Sequence, residues 1–190
     1  MIELTRPRIA PAEDLSAEQR ELLSKSWHHN GAPLHAAATL AHHPLLLRRF
    51  MLFAGVFLSH SRLPQRDREL MTLRAVHLCG VDYYFAHHIE PATAAGLTRD
   101  EIVGVTRHGH SWPQRDELVL TVVDEIVSSM ALSDATWARL AAVYDSAQLE
   151  EILLLPGFYR MLAGFVNTIG IELEPGLQSL ADLEAEGVPS

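Results

Sequence analysis

Apolar residues recur at spacings of three and four along almost the whole chain, and this periodicity limits the fold more than any other feature. Such spacing places apolar side chains on one face of an α-helix, whereas a half-buried strand needs alternation with a period of two. Alternating β-branched runs bounded by turn residues are missing from the sequence. The pattern therefore predicts an all-α protein.

Capping residues and prolines set the expected ends of the helices. Ser16 and Gln19 have the spacing of a capping box, in which two side chains satisfy each other's free backbone N–H groups. Thr98 and Glu101 repeat that spacing, and Asp82 is expected to cap the helix before them. The first predicted helix starts at 16 and stops at 31–33, and the second covers 34–59 with a break at His43-Pro44. The later predicted helices cover 64–80, 82–95, a stretch that starts at 98, 114–130, 133–144 and 147–169.

Charge and cysteine content exclude several classes of function. The 190 residues carry 24 acidic and 15 basic side chains, a formal net charge of -9, and the basic residues are scattered, so we expect no nucleic-acid partner. Cys79 is the single cysteine, which rules out an internal disulfide and favours a cytoplasmic location. The N-terminus lacks the apolar run of a signal peptide. The longest apolar stretch, 152–171, is broken by Pro156-Gly157 and Arg160, so we expect no membrane span.

A short repeated motif indicates how the domain is organised. Leu63-Pro-Gln-Arg-Asp67 is echoed by Trp112-Pro-Gln-Arg-Asp116. The echo hints at two related helical halves, although Pro-x-x-Asp is also an ordinary start for a helix. We expect one domain over 1–190, composed of an N-terminal extension and helix over 1–33, a core over 34–175 and a loose tail over 176–190.

Glu69 is the first candidate for chemistry. On its predicted helix, Leu70 and Leu73 would face the core, and Glu69 would flank this apolar stripe at the edge of a semi-buried seam. The alternative is a solvated glutamate paired with Arg66 or Arg68.

The following helix carries the second candidate. Tyr84 and His88 are four residues apart and share a helix face, while His87 lies about 100° away. One histidine can therefore enter a pocket while the other points elsewhere; the alternatives are core tyrosines and a partly buried histidine bonded to a backbone carbonyl. The chain has 11 histidines, but no pair has the HExxH spacing on one helix, so we expect no metal site.

Six segments, considered together, point to a known family. Three of them are 63–74 (LPQRDRELMTLR), 80–88 (GVDYYFAHH) and 95–102 (AGLTRDEI); upstream, 39–44 reads TLAHHP, and downstream 157–159 reads GFY and 167–170 reads NTIG. This combination resembles the carboxymuconolactone decarboxylase family, which is related to the alkyl hydroperoxidase D-like proteins. The resemblance implies an all-α fold, assembly into homo-oligomers such as trimers or hexamers, and a site at a helix junction or subunit boundary.

The resemblance also shows what this chain lacks. In the peroxidase branch, a glutamate, a CxxC pair and a histidine form a proton relay and a thiol centre. Counted from Glu69, the two cysteine positions fall on Val81 and Tyr84 and the histidine position falls on His88. Cys79 lies two residues too early and has no resolving partner, so we do not expect a thiol peroxidase. The resemblance thus implies catalysis by Glu69 and His88, with the Tyr84 phenol in place of a thiol.

A further group of residues is expected to bind substrate. His35 stands where many non-redox relatives carry asparagine, and Arg74 is either a carboxylate clamp or a member of a structural ion pair. The expected binding residues are His87, Arg74, His35, Tyr159 and Asn167.

These residues lead to a functional hypothesis of proton transfer without a cofactor or metal. The substrate would be a small oxygenated organic acid, lactone or carbonyl compound, and the reaction a decarboxylation, isomerisation, dehydration or cyclisation. His88 would protonate an enolate, Glu69 would orient or reprotonate it with its charged form disfavoured by the apolar seam, and Tyr84 would donate to the oxyanion. The alternative is a non-catalytic helical oligomer that binds a small ligand or partner, a peroxidase relic without redox cysteines.

Overall fold

Helices form most of the regular structure in residues 6–107 and 109–185, the part of the chain that the computed structural model describes. This confirms the predicted all-α class. The helices are Ala17–Ser24 (α1), His35–Leu40 (α2), Pro44–Leu58 (α3), Gln65–Leu78 (α4), Asp82–Ala94 (α5), Arg99–Gly104 (α6), Gln114–Ser129 (α7), Asp134–Ala141 (α8), Ser146–Ile169 (α9) and Leu180–Ala185 (α10). A small antiparallel sheet pairs His28–His29 (β1) with Ala32–Pro33 (β2).

Local capping chemistry accounts for the helix ends that were predicted correctly. The Ser16 hydroxyl accepts from the N–H of Gln19 at 3.2 Å, and the Gln19 side chain accepts from the N–H of Ser16 at 2.8 Å. Thr98 and Glu101 form the same capping box at the start of α6. Gly80 has a φ of +64°, a left-handed conformation that stops α4 where glycine costs least.

Two boundary predictions are wrong. The first helix ends at Ser24, and the following stretch forms the β1–β2 hairpin, because Asn30 and Gly31 have φ angles of +49° and +80°. Positive φ at both central residues is the requirement of the tight hairpin turn that Asn-Gly favours. Asp82 does not cap α5 but is its first helical residue, where its negative charge still favours the helix N-terminus.

The described residues group into two compact units. The first unit comprises the described residues up to Ser61 together with Phe165–Gly176, and the second comprises Arg62–Gly164 and the described residues from Leu177. One core cluster of the first unit is built from α1, α2 and α3 and contains Leu22, Leu23, Ala37, Ala41 and Leu47. Part of the expected loose tail is ordered, because α10 buries Leu183 and the Arg99 guanidinium donates to the Leu183 carbonyl.

The repeated Pro-Gln-Arg-Asp motif corresponds to a reciprocal contact in the second unit. There α4 packs against both α7 and α5. Arg66 at the start of α4 donates to Asp116 at the start of α7 at 2.7 Å, and Arg115 donates back to Asp67 at 2.6 Å. Both aspartates are buried, and the Tyr144 hydroxyl also donates to Asp67 at 2.7 Å. The echo in the sequence therefore marks two helices that exchange equivalent ion pairs.

The long helix α9 is apolar enough, by length and composition, to cross a membrane. Half of its most apolar window is buried within the protein, and the helix places Glu151 and Tyr159 at buried positions. A core helix passes the same test, so this feature by itself is weak evidence for a membrane span.

The reciprocal ion pairs predict a stability cost for Asp67→Asn. This change removes the negative charge that faces Arg115 and weakens the acceptor of the Tyr144 hydroxyl, so the free energy of unfolding should fall by about 1–3 kcal/mol. Urea denaturation monitored by circular dichroism measures it. Asp134→Asn, at an exposed position on α8, is the control and should change the free energy by less than about 0.5 kcal/mol. Equal denaturation midpoints for the two variants would contradict the structural role of the pair.

Candidate functional site

Glu69 and His88 meet in the interior of the second unit. Glu69 lies on α4, which is buried on almost every side, and His88 lies on the inner face of α5. The distance from Glu69 Oε2 to His88 Nδ1 is 2.7 Å, and the two residues are only 1% and 7% exposed. The structure thus brings together the two residues expected to form an acid–base pair.

Tyr159 of α9 completes a chain of three buried groups. Its hydroxyl oxygen lies 2.9 Å from Nε2 of His88, and the residue is 1% exposed. An ionised carboxylate can only accept hydrogen bonds, so Nδ1 of His88 carries the proton that Glu69 receives. In the neutral imidazole Nε2 is then the acceptor, and the Tyr159 hydroxyl donates to it. We refer to Glu69, His88 and Tyr159 as the buried triad.

His88 and Arg68 together keep the triad carboxylate ionised. It donates to Glu69 Oε1 through Nε at 2.9 Å, and its terminal nitrogen lies 2.8 Å from the same oxygen. Burial by itself would raise the pKa of Glu69, but the hydrogen bond and charge of His88 and the charge of Arg68 outweigh burial, and the pKa lies below its ordinary value. The expectation that the charged form of Glu69 is disfavoured is therefore wrong, because the seam contains two cationic or proton-donating partners.

The Tyr159 phenol has the opposite tendency. Burial raises the pKa of Tyr159 well above its usual range, and the negative charge of Glu69 raises it further. A nearby Thr72 hydroxyl on α4 acts in the opposite direction without cancelling the rise in pKa. Tyr159 is therefore held as a neutral proton donor that faces an imidazole lone pair.

The two other tyrosine and histidine candidates lie beside the triad. The Tyr84 ring is half-buried, with its centroid 6.1 Å from that of Tyr159 in an edge-to-face arrangement. His87 is turned away from Glu69, and its Nδ1 lies 2.7 Å from the carbonyl oxygen of Tyr83. The structure therefore selects His88 as the histidine of the pair and places Tyr84 in the aromatic surroundings of Tyr159.

The remaining predicted binding residues are Arg74, His35 and Asn167. Arg74 donates to both oxygens of Asp124 at 2.6 and 3.0 Å and to the Val105 carbonyl, which is the structural ion pair of the two alternatives. His35 and Asn167 belong to the first unit, where Asn167 is exposed on α9. His35 places Nδ1 2.9 Å from the carbonyl oxygen of Glu172.

Two other kinds of chemistry would need a reactive thiol or a cluster of metal-binding side chains. Burial raises the pKa of the Cys79 thiol, although Arg160 opposes this effect, so little reactive thiolate forms near neutral pH. Within residues 6–107 and 109–185, no group of three or more histidine, cysteine, aspartate or glutamate side chains could hold a metal ion. His108 lies outside the described residues.

Comparison with known proteins finds a family model that matches the segment carrying this geometry. The sequence model of the carboxymuconolactone decarboxylase family matches residues 44–114, the segment that contains Glu69 and His88. No curated protein sequence matches the chain. The match covers 71 of the 190 residues, and the solved structures described next share the fold of the chain.

Solved structures share the fold at low sequence identity. An uncharacterized peroxidase-related protein from Silicibacter sp. TM1040 has a TM-score of 0.76 at 13% identity, covering 92% of this chain and 96% of that one. The alkylhydroperoxidase AhpD core of Ralstonia eutropha JMP134 gives 0.74 at 16% identity, with coverage of 88% and 93%. The debrominase Bmp8 gives 0.74 at 15% identity, with coverage of 93% and 96%. At this identity the likeness establishes the fold alone.

Sequence reasoning missed two features of the site. The sequence predicted Arg68 only as a possible partner of a solvent-exposed Glu69. In the structure both residues are largely buried and bonded to each other. Tyr159 was assigned to substrate binding, and its hydrogen bond to His88 spans 71 residues of sequence. Local periodicity carries no signal for such a contact; only the GFY element that resembles the family pointed to this position.

The lowered pKa of Glu69 predicts a specific pH dependence of stability. A carboxylate with a folded-state pKa below its ordinary value of 4.5 stabilises the fold above about pH 4.5, and this contribution is lost as the pH falls through the folded-state pKa. The free energy of unfolding should therefore be higher for wild type than for Glu69→Gln. This difference should be largest at neutral pH and should shrink below pH 4.5.

Denaturant titrations at several pH values between 7 and 3 measure this difference. Glu90→Gln, at an exposed position on the same helix as His88, is the matched control and should show a difference that changes little with pH. A Glu69→Gln difference that stays constant down to pH 3 would mean that Glu69 is not preferentially ionised in the folded protein.

Proposed function

We propose that the chain is a cofactor-independent enzyme that transfers protons on a small oxygenated organic acid, lactone or carbonyl compound. The observation that carries the proposal is the buried triad, in which an anionic Glu69, a tautomer-fixed His88 and a neutral Tyr159 are joined by hydrogen bonds of 2.7 and 2.9 Å. Proton transfer needs an acceptor and a donor held within hydrogen-bond distance, and the triad holds both.

The charge balance of the triad supports a proton shuttle. When Tyr159 takes a proton from a substrate C–H or O–H group, its own hydroxyl proton passes to Nε2 of His88. The resulting imidazolium is stabilised by Glu69, whose pKa lies below the ordinary value because it is bonded to His88 and Arg68. Return of the proton to a different substrate atom completes an isomerisation. A triad that starts with protonated His88 would instead deliver a proton to the enolate left by loss of CO2, which completes a decarboxylation.

The ligand bound by one protein of similar fold supports the proposal of a small substrate. One solved structure of that fold is a cysteine-to-alanine variant of the debrominase Bmp8 in complex with 2,3,4-tribromopyrrole, at 15% identity and a TM-score of 0.73. The ligand of that protein is a small substituted ring, and lactones and cyclic carbonyl compounds have comparable dimensions. We therefore propose a substrate of that size for this chain, with different chemistry because the triad contains no sulfur.

The proposal predicts loss of proton transfer in three single variants. Glu69→Gln, His88→Gln and Tyr159→Phe should each slow hydrogen–deuterium exchange, or CO2 release, by about 10²-fold or more, because each removes one proton-carrying group of the triad. The assay incubates the protein in D2O with small lactones, cyclic ketones and β-keto acids and follows exchange at the carbon next to the carbonyl by NMR. Compounds that release CO2 are followed in parallel.

Matched controls separate chemistry from folding. Tyr144→Phe also removes a buried hydroxyl, the donor to Asp67, and should lower stability while leaving the exchange rate of the folded protein unchanged. Exchange that persists in Tyr159→Phe and His88→Gln would refute the assignment. A wild-type protein that transfers no proton on any compound, yet still assembles and binds one of them, would favour the non-catalytic alternative.

We also propose that the protein self-associates through α3. This helix exposes five large apolar side chains, of which Leu52 is 65% exposed and Phe53 is 44% exposed. The five are Leu45, Leu46, Leu52, Phe53 and Val56. An apolar patch of this kind on one helix is typical of a surface that a partner covers, and a second copy of the chain matches the assembly expected for the family.

Self-association predicts a change of mass in a charged variant. Wild type should elute as a trimer or hexamer in size-exclusion chromatography with light scattering, and Leu52→Lys combined with Phe53→Lys should shift the mass towards the monomer. Val143→Lys, which places the same charge on another exposed apolar residue, should leave the mass unchanged. A monomeric wild type, or an unchanged mass in the α3 variant, would contradict the proposal.

A further inference from the structure

A small pocket in the first unit has a chemical character of its own. Its volume is about 150 Å³, and an apolar cavity of this order holds one benzene molecule. Its walls come from the N-terminal segment, α2 and the chain after α9. They are formed by Pro7, Pro11, His35, Thr39, Ile171 and Glu172.

The walls of this pocket are held in place by backbone hydrogen bonds. The N–H of Arg8 donates to the Ile169 carbonyl at 2.8 Å, and the N–H of Ala12 donates to the Ala38 carbonyl at 3.1 Å. Pro7 and Pro11 adjoin these two anchor points and have restricted φ angles. A ligand would therefore meet a largely preformed pocket, which reduces the entropy cost of binding.

His35 belongs to the wall of this pocket. Its Nδ1 lies 2.9 Å from the carbonyl oxygen of Glu172, and a carbonyl can only accept, so Nδ1 carries the proton. In the neutral ring Nε2 then keeps its lone pair. The Thr39 hydroxyl donates its proton to the His35 carbonyl at 2.9 Å. The hydroxyl oxygen of Thr39 therefore acts only as an acceptor towards a ligand. The polar atoms available in the pocket wall therefore favour a ligand that donates.

Two carboxylates make the surroundings unfavourable for anions. Glu172 is itself part of the wall. Glu174 is only 6% exposed, accepts from the backbone N–H of His35 at 2.6 Å and lies 4.0 Å from the Nδ1 atom of the same residue. A carboxylate ligand would be repelled by this pair, whereas an uncharged hydroxyl group would not.

We propose that this pocket binds an uncharged, ring-sized hydroxyl compound, such as a phenol or a cyclic alcohol, whose O–H donates to Nε2 of His35. The ring occupies the space between the prolines and Ile171, and the hydroxyl provides the orientation. The proposal assigns His35 to a ligand of this class and does not depend on the proton-transfer function of the triad.

Phenol is the probe that tests this proposal. Titration of the ¹⁵N-labelled full chain with phenol, followed by NMR, should give saturable shifts at the amides of 35–39 and 171–172. Benzene, which has the ring without the hydroxyl, should bind about tenfold more weakly, because one hydrogen bond is lost. Benzoate should give no saturable shift at these amides.

Two variants locate the hydroxyl contact. His35→Phe keeps an aromatic ring but removes the acceptor nitrogen, so phenol affinity should fall about tenfold to the level of benzene. Ile171→Phe keeps His35 but fills the pocket, so it should abolish binding of both compounds. His60→Gln, which removes an exposed histidine of the same unit, is the control and should bind phenol as wild type does.

The opposite results would overturn the proposal. Equal affinities for phenol and benzene in wild type would show that no hydroxyl contact exists. Benzoate binding as tight as that of phenol would refute the exclusion of anions. Unchanged phenol affinity in Ile171→Phe would show that phenol binds elsewhere, even if His35→Phe fails to fold.

Discussion

A carboxylate can be buried only when neighbouring groups compensate for its lost hydration, and this requirement organises the centre of the second unit around Glu69. Arg68 satisfies one oxygen and His88 the other, so both neighbours are held in fixed orientations. The bond to Glu69 fixes the His88 tautomer, and the tautomer in turn makes the Tyr159 hydroxyl a donor. The need to compensate the buried charge of Glu69 thus sets the position and protonation state of every group in the triad. It also sets the direction of the hydrogen bonds between them.

The same principle operates at the contact between α4 and α7. Asp67 and Asp116 are buried near the starts of the two helices, and each is compensated by the arginine from the opposite motif. Because this exchange is reciprocal, it anchors the N-terminal end of α4 against α7 while α4 also packs against α5. The helix that carries Glu69 is therefore held from two sides, and such rigidity suits a group that must meet a histidine at 2.7 Å.

Different parts of the structure were predictable to different degrees. The capping boxes at Ser16 and Thr98 were correct because they involve residues three apart, and the resemblance to the family indicated the pair of Glu69 and His88 before any geometry was known. The hairpin turn at Asn30-Gly31 is also encoded locally, and the predicted longer helix over this stretch is wrong. The lowered pKa of Glu69 was not predictable, since it depends on how closely partners approach inside the fold.

The amino-acid sequence by itself determined the helices, most of their ends, and the absence of a cysteine pair, because periodicity and capping act over a few residues. Only the tertiary structure decided that His88 and not His87 faces the carboxylate, that Arg74 is committed to Asp124, and that Tyr159 closes the triad. These contacts join residues 19 to 71 positions apart. Their geometry follows from how the helices pack, and no local pattern in the chain encodes it.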